Sequence, residues 1–186
     1  MELPKAVLLD RDGVINFDSP DYILSPEQWM PIPGSLEAIG RLSGAGILVA
    51  ICSNQSALGR GMMDEETFRN IHAKMMLAIE EKGGEVGHAA YCPHKPEEGC
   101  ACRKPNPGLL EESMAALGMS AADVLMIGDS TKDMQAAHAV GVPGWLVQSG
   151  YNDAEKILQK SRVLMPDIKV FPDLAAAVDA LLKDGM

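Results

Sequence analysis

No stretch of this 186-residue sequence approaches the roughly 18 consecutive apolar residues that a membrane-spanning helix requires, although 47% of its residues are hydrophobic. Met1-Glu2-Leu3-Pro4-Lys5 leads straight into an apolar run, with no basic segment before a secretory core. A cytoplasmic chain without a membrane partner is therefore expected. Positive charge is also scarce: 16 Lys and Arg face 26 Asp and Glu, for a net charge of −10. That balance argues against a nucleic-acid backbone as partner, which needs a basic field. It suits a solvated acidic surface and leaves room for a small phosphorylated ligand, because a metal and a few local cations can dominate one site. Repeats, low-complexity tracts and dividing linkers are missing too. One domain over residues 1–186, with a substantial core and acting as a monomer, is the expectation.

What is present is an alternation of short apolar runs with helical patterns. It predicts an α/β fold: a single Rossmann-like parallel sheet with helices on both faces. The runs place strands near 6–10, 47–52, 88–91, 124–128 and 144–147, with a short one near 168–171. Helices are expected near 34–44, 64–82, 107–117, 132–139, 153–160 and 173–183. Asp64-Glu65-Glu66 suits a helix amino end, while Met75, Met76 and Ile79 read as core.

The chemistry concentrates at strand ends. Leu8-Leu9-Asp10-Arg11-Asp12-Gly13 closes the first apolar run with two carboxylates separated by one residue. In an open parallel sheet that edge is where ligands bind. Two carboxylates so close need a cation or a proton, and a divalent metal with oxygen ligands is the natural neutraliser. The second run ends in Ser53-Asn54-Gln55-Ser56, and Arg103-Lys104-Pro105 precedes a helical stretch. Val124-Leu125-Met126-Ile127 runs into Gly128-Asp129-Ser130, with Asp133 shortly after.

In chain order this is D-x-D-G, a hydroxyl residue after a strand, a lysine, then G-D-x-x-x-D. That series resembles the haloacid dehalogenase superfamily of aspartate-nucleophile phosphatases. The gaps from Asp10 to Ser53 and from Ser53 to Lys104 must each supply crossover structure, so neither has room for an inserted cap domain. A capless member with an open cleft is expected.

Three of the four cysteines fall in Cys92-Pro93-His94 and Cys100-Ala101-Cys102. Cys92, His94, Cys100 and Cys102 form a ligand set that suits tetrahedral zinc in a loop over 92–102. Four protein ligands leave no open position, which favours a structural ion; disulfides, free thiols and a catalytic zinc are the competing readings. Cys52, inside a strand, reads as a small buried hydrophobe. The loop ends at Arg103-Lys104, so zinc would hold both cations at the cleft. Y-C-P-H and C-x-C-R-K-P-x-P-G, with D-R-D-G-V-I-N and S-N-Q-S, narrow the resemblance to the D-glycero-D-manno-heptose 1,7-bisphosphate 7-phosphatase branch. The histidinol-phosphate phosphatases share much of the pattern and supply the alternative substrate.

The resemblance implies a Mg²⁺-dependent hydrolysis of a sugar phosphate monoester. Asp10 would be the nucleophile, forming an aspartyl-phosphate, and Asp12 the general acid and then base. Mg²⁺ would be held by Asp10, Asp129 and Asp12, the last through its backbone carbonyl. Lys104, Ser53, Asn54 and Gln55 would bind the reacting phosphate. Arg103 would meet a second phosphate, and Asp18, with Asp21, the sugar hydroxyls. Asp133 is expected to anchor Lys104 or stand behind the metal. His72, His88 and His138 lack a paired motif and carry no assigned chemistry. Three rival functions remain. They are a receiver-type signalling domain, a binding module on an inactive phosphatase fold, and a nucleic-acid 3′-phosphatase. The second acid after Asp10 disfavours the first, the competent site residues the second and the acidic balance the third.

Overall fold

A computed structural model describes residues 3–184. Six strands form one all-parallel sheet: β1 (Ala6–Leu9), β2 (Leu48–Asn54), β3 (His88–Cys92), β4 (Val124–Gly128), β5 (Gly144–Val147) and β6 (Lys169–Phe171), in spatial order β3-β2-β1-β4-β5-β6. The helices are α1 (Ser35–Gly44), the single turn α2 (Ser56–Gly59), α3 (Glu65–Glu81), α4 (Gly108–Leu117), α5 (Thr131–Ala139), α6 (Ala154–Leu164) and α7 (Leu174–Asp184). This is the Rossmann-like arrangement the sequence predicted, with helices on both faces and no inserted domain among the described residues.

Strands covered on both faces carry continuous apolar runs, and every residue of β1 and β4 is buried. Alternation along β1 divides the core. Val7 and Leu9 face α1, α3 and α7 together with Ile39, Leu42, Ile71, Met75 and Val178. Ala6 and Leu8 face α4 and α5 with Leu109, Leu110, Met134 and Ala137. Met75 and Ile79 are core, as expected, and Met76 packs at the edge of the first cluster.

Central β1 pairs with β2 on one side and β4 on the other, with Leu9 level with Ile51 and Ile127. The strand order reverses direction at β1, and the crevice outside the strands' carboxyl ends at that point is where such sheets bind ligands. Asp10 and Asp129 follow the ends of β1 and β4, and Ser53 lies in the last two residues of β2. The connection from β1 to α1 is anchored by Ile15, Ile23 and Trp29, all buried, which fixes Asp18 at the rim. Helix caps add precision. Asp64 accepts from the Thr67 N–H at 2.7 Å to start α3. At α5, the Ser130 hydroxyl accepts from the Asp133 N–H at 3.3 Å, while Asp133 accepts from the Ser130 N–H at 3.0 Å.

Candidate active site

The site is assembled around a buried lysine. Lys104 is 2% exposed, and its Nζ donates to the Cys52 carbonyl at 2.7 Å and to Asp133 Oδ1 at 2.6 Å. It stands 3.2 Å from Asp10 Oδ1. Its backbone is tied at both ends to Asn54: the Lys104 N–H donates to Asn54 Oδ1 and Asn54 Nδ2 to the Lys104 carbonyl, each at 3.0 Å. Asn54, expected on the phosphate, therefore acts on the lysine. Burial alone would lower the Lys104 pKa, but Asp10 and Asp133 raise it above the ordinary lysine value and keep it charged.

The carboxylates around it are crowded. Oxygens of Asp10, Asp129 and Asp133 lie within 4.8 Å of one another. Burial pushes Asp10 up to about 7, with Asp133 and Asp12 acting the same way against Lys104. Burial also raises Asp129 well above its ordinary value, reinforced by Asp10 and Asp133. One lysine does not balance three acids, and the oxygen-only donor set fits a hard divalent cation such as Mg²⁺. Asp133 is engaged by Lys104 and by the Ser130 N–H and hydroxyl. Asp10 and Asp129 are left to offer oxygens. Two glycines press against Asp129: a Cβ on Gly13 (φ +83°) would lie 2.4 Å from Asp129 Oδ2, and one on Gly150 2.1 Å. Only glycine lets the chain close around that carboxylate.

Asp12 points elsewhere. Its Oδ1 accepts from Arg11 Nε and Asn16 Nδ2, each at 2.9 Å. Its Oδ2 accepts from Gln55 Nε2 at 2.9 Å and Arg11 Nη2 at 3.2 Å. Burial would raise Asp12, but the Arg11 charge and these hydrogen bonds hold it below the ordinary carboxylate value. With its carboxylate so occupied, Asp12 stands outside the group of carboxylate oxygens formed by Asp10, Asp129 and Asp133. Gln55, expected on the phosphate, lines the cleft but gives its amide to Asp12 and to Ser53 Oγ, the latter also at 2.9 Å.

Above these groups opens a cleft of ≈ 590 Å³, lined also by Asp18, Ser53, Arg60, Arg103, Lys132 and Tyr151. Asp18 is pushed up to about 6 by burial and by Asp12. Arg103, which lines the cleft, donates through Nη1 to the His94 carbonyl at 3.3 Å. Burial, and then Arg103, lower Lys132 from its ordinary value. Sequence reasoning missed Lys132 and Arg11.

The cysteine loop closes as expected. Cys92, Cys100 and Cys102 sulfurs lie 3.2–3.6 Å apart, and His94 Nδ1 lies 3.5 Å from Cys92 Sγ and 3.3 Å from Cys102 Sγ. A tetrahedron with Zn–S near 2.3 Å has S···S edges of about 3.8 Å, so the cluster needs only a slight expansion to hold the ion. A Cβ on Gly108 would meet the Ala101 carbonyl at 2.6 Å, so the loop packs directly on α4. Arg103 and Lys104 follow Cys102 and inherit that rigidity.

Comparisons with known proteins agree with this geometry. Residues 101–177 match a HAD-hydrolase-like family model. A D-glycero-beta-D-manno-heptose-1,7-bisphosphate 7-phosphatase of Pseudomonas putida is 45% identical over 96% of this chain and 99% of its own length. One from Pseudomonas aeruginosa is 44% identical over 95% and 97%. Among solved structures, the D,D-heptose 1,7-bisphosphate phosphatase of B. bronchiseptica, complexed with magnesium and phosphate, superposes with a TM-score of 0.91. It shares 43% identity over 97% of this chain and 99% of that one. The Burkholderia thailandensis enzyme gives a TM-score of 0.71 at 33% identity, covering 96% and 98%. This chain is a phosphoric monoester hydrolase of the haloacid dehalogenase superfamily and belongs to its D-glycero-β-D-manno-heptose-1,7-bisphosphate 7-phosphatase family.

Proposed function

We propose that the protein hydrolyses D-glycero-D-manno-heptose 1,7-bisphosphate at the 7-position. The observation that carries this reading is a cleft lined by four cations. Lys104 lies beside Asp10, and Arg60, Arg103 and Lys132 line the cleft as well. A sugar bisphosphate brings two phosphates to these cations. Histidinol phosphate presents an ammonium and an imidazole where the second group would lie, which Arg103 does not suit.

In the first half-reaction an Asp10 carboxylate oxygen attacks phosphorus in line, and the bond from phosphorus to the C7 oxygen breaks. Asp12 passes its proton to that departing oxygen. In the second half-reaction Asp12, now ionised, takes a proton from water as the water attacks phosphorus, releasing phosphate and restoring Asp10. Arg11 stabilises the ionised form used in the second step. The arriving phosphate dianion favours the protonated form used in the first. Lys104, oriented by Asp133 and the Cys52 carbonyl, meets the transferring oxygens, with Ser53 beside it. Asp10, Asp129 and the Asp12 carbonyl would hold Mg²⁺, which supplies charge neutralisation between nucleophile and phosphate. The magnesium of the B. bronchiseptica structure supports that assignment. The Cys92–His94–Cys100–Cys102 cluster would hold a structural zinc that fixes Arg103. Asp18, which lines the cleft, would meet a sugar hydroxyl.

Purified protein assayed with Mg²⁺ against heptose 1,7-bisphosphate, fructose 1,6-bisphosphate, histidinol phosphate and p-nitrophenyl phosphate tests this. The heptose bisphosphate should give the highest kcat/KM, with heptose 1-phosphate as product by ³¹P NMR. Arg103→Ala should reduce that value far more than the value for p-nitrophenyl phosphate. Faster turnover of histidinol phosphate would overturn the substrate.

A further inference from the structure

Arg11 does more than favour the ionised form of Asp12: it is among the most deeply buried charged residues, at 1% exposure. Its guanidinium donates through Nε to Asp12 Oδ1 at 2.9 Å and through Nη2 to Asp12 Oδ2 at 3.2 Å. The same Nη2 donates to Gln55 Oε1 at 3.0 Å, and Gln55 returns an N–H to Asp12. Nη1 has no hydrogen-bond partner. The polar contacts of the fork are thus confined to Asp12 and the residue that braces it.

A buried ion pair is a poor device for stability, since apolar residues of similar volume often do as well or better. Two contacts from a planar fork do something an apolar residue cannot: they fix the plane and direction of a carboxylate. Asn16 and Gln55 complete the grip, so both Asp12 oxygens are held from the interior side. The carboxylate is thereby kept apart from the group formed by Asp10, Asp129 and Asp133. An acid–base group must keep clear of a metal to exchange protons, and misplacement by about 1 Å can cost on the order of 10²-fold in rate.

We propose that Arg11 is a positioning residue that aims Asp12 at the leaving oxygen and then at the attacking water. The inference rests on the acid–base role assigned to Asp12. It predicts a dependence on the leaving group. An alkoxide departs poorly without a proton, whereas p-nitrophenolate needs none. Misaiming Asp12 should therefore slow phosphoryl transfer from a sugar and spare transfer from the nitrophenyl ester.

The test uses Arg11→Met, Arg11→Lys, Asp12→Asn and the double variant Arg11→Met/Asp12→Asn in the full-length, metal-loaded protein. Rapid-quench single turnovers measure the first step alone on the sugar bisphosphate and on p-nitrophenyl phosphate. Arg11→Met should slow the sugar reaction about 10²-fold, within the range of a lost general acid, and the nitrophenyl reaction by less than about threefold. Arg11→Lys keeps the charge but not the fork, and should restore thermal stability without restoring the sugar rate. The double variant should be no slower than Asp12→Asn, since two residues acting as one unit are not additive. Equal slowing of both substrates, or rescue of the rate by lysine, would overturn the positioning role. If Asp12→Asn itself shows no leaving-group dependence, it is the acid–base reading of Asp12 that falls; if it shows one and Arg11→Met does not, the Arg11 inference falls alone.

Discussion

Removing the Asp133 carboxylate should destabilise the protein more than its position behind the reacting groups suggests. Asp133 is fully buried, 2.6 Å from Lys104 Nζ, itself 2% exposed. Breaking one partner of a buried pair costs about 3–5 kcal/mol, because the other charge is left without compensation. Asp133 also accepts from the Ser130 N–H and hydroxyl at 3.0 and 2.8 Å, and losing a helix cap adds about 1 kcal/mol. Asp133→Ala is therefore expected to lose about 4–6 kcal/mol, which at roughly 2–4 °C per kcal/mol for a chain of this length lowers Tm by about 8–24 °C. Asp10 remains near Lys104, which places the expectation toward the low end. Urea denaturation in Mg²⁺ buffer, followed by circular dichroism, measures the loss. Lys104→Met and the double variant complete a cycle, in which the double should be less destabilised than the sum of the singles by about 1–3 kcal/mol. A loss below about 1 kcal/mol for Asp133→Ala, or strict additivity, would refute the buried-pair argument.

Protein purified without added metals should carry one tightly held zinc per chain by elemental analysis. Cys102→Ser should lower that content and Tm together, while brief EDTA treatment followed by Mg²⁺ restores activity; absence of zinc with an oxidised Cys92–Cys102 pair would contradict the loop's role. Gly13→Ala should abolish most activity, since its Cβ would lie 2.4 Å from Asp129 at φ +83°. Gly46→Ala, at φ +75° with nothing within 4 Å, should cost only the backbone term of about 1–2 kcal/mol and leave kcat unchanged. Asp18, raised from 3.8 to about 6, binds its proton more tightly folded than unfolded. Its contribution to stability is greatest below pH 4 and falls as pH rises toward 7, by at most about 3 kcal/mol. Asp18→Asn should flatten that slope in melts recorded in EDTA, and an unchanged slope would remove Asp18 as its source.

Much of the fold was legible because a doubly covered parallel strand leaves a plain trace. Ile47 to Cys52 and Val124 to Ile127 are unbroken apolar runs, and the residues after them had to lie at one sheet edge. The single turn at Ser56–Gly59 was not legible, since four residues carry no helical period. In the site, the residue types were readable and their partners were not. Asn54 ends β2 and Gln55 follows it at a phosphate edge, and nothing local shows that one braces the Lys104 backbone and the other Asp12. Those contacts join residues 50 and 43 positions apart. Arg11 was overlooked because D-R-D-G drew attention to its carboxylates, and the chain has left β1 at Leu9, so no strand period shows which way the arginine turns. Lys132 lay inside G-D-x-x-x-D as an unassigned position, and only the fold brings it beside Arg103.

The central claim is that Asp10 carries the phosphoryl group. Enzyme mixed with heptose 1,7-bisphosphate and Mg²⁺ should be quenched in acid within the first turnover, reduced with borohydride and digested. An acyl phosphate is converted to the alcohol, so the peptide spanning Ala6–Gly13 should contain homoserine at position 10. Homoserine at position 12 or 129, or none despite a burst of product, would contradict it.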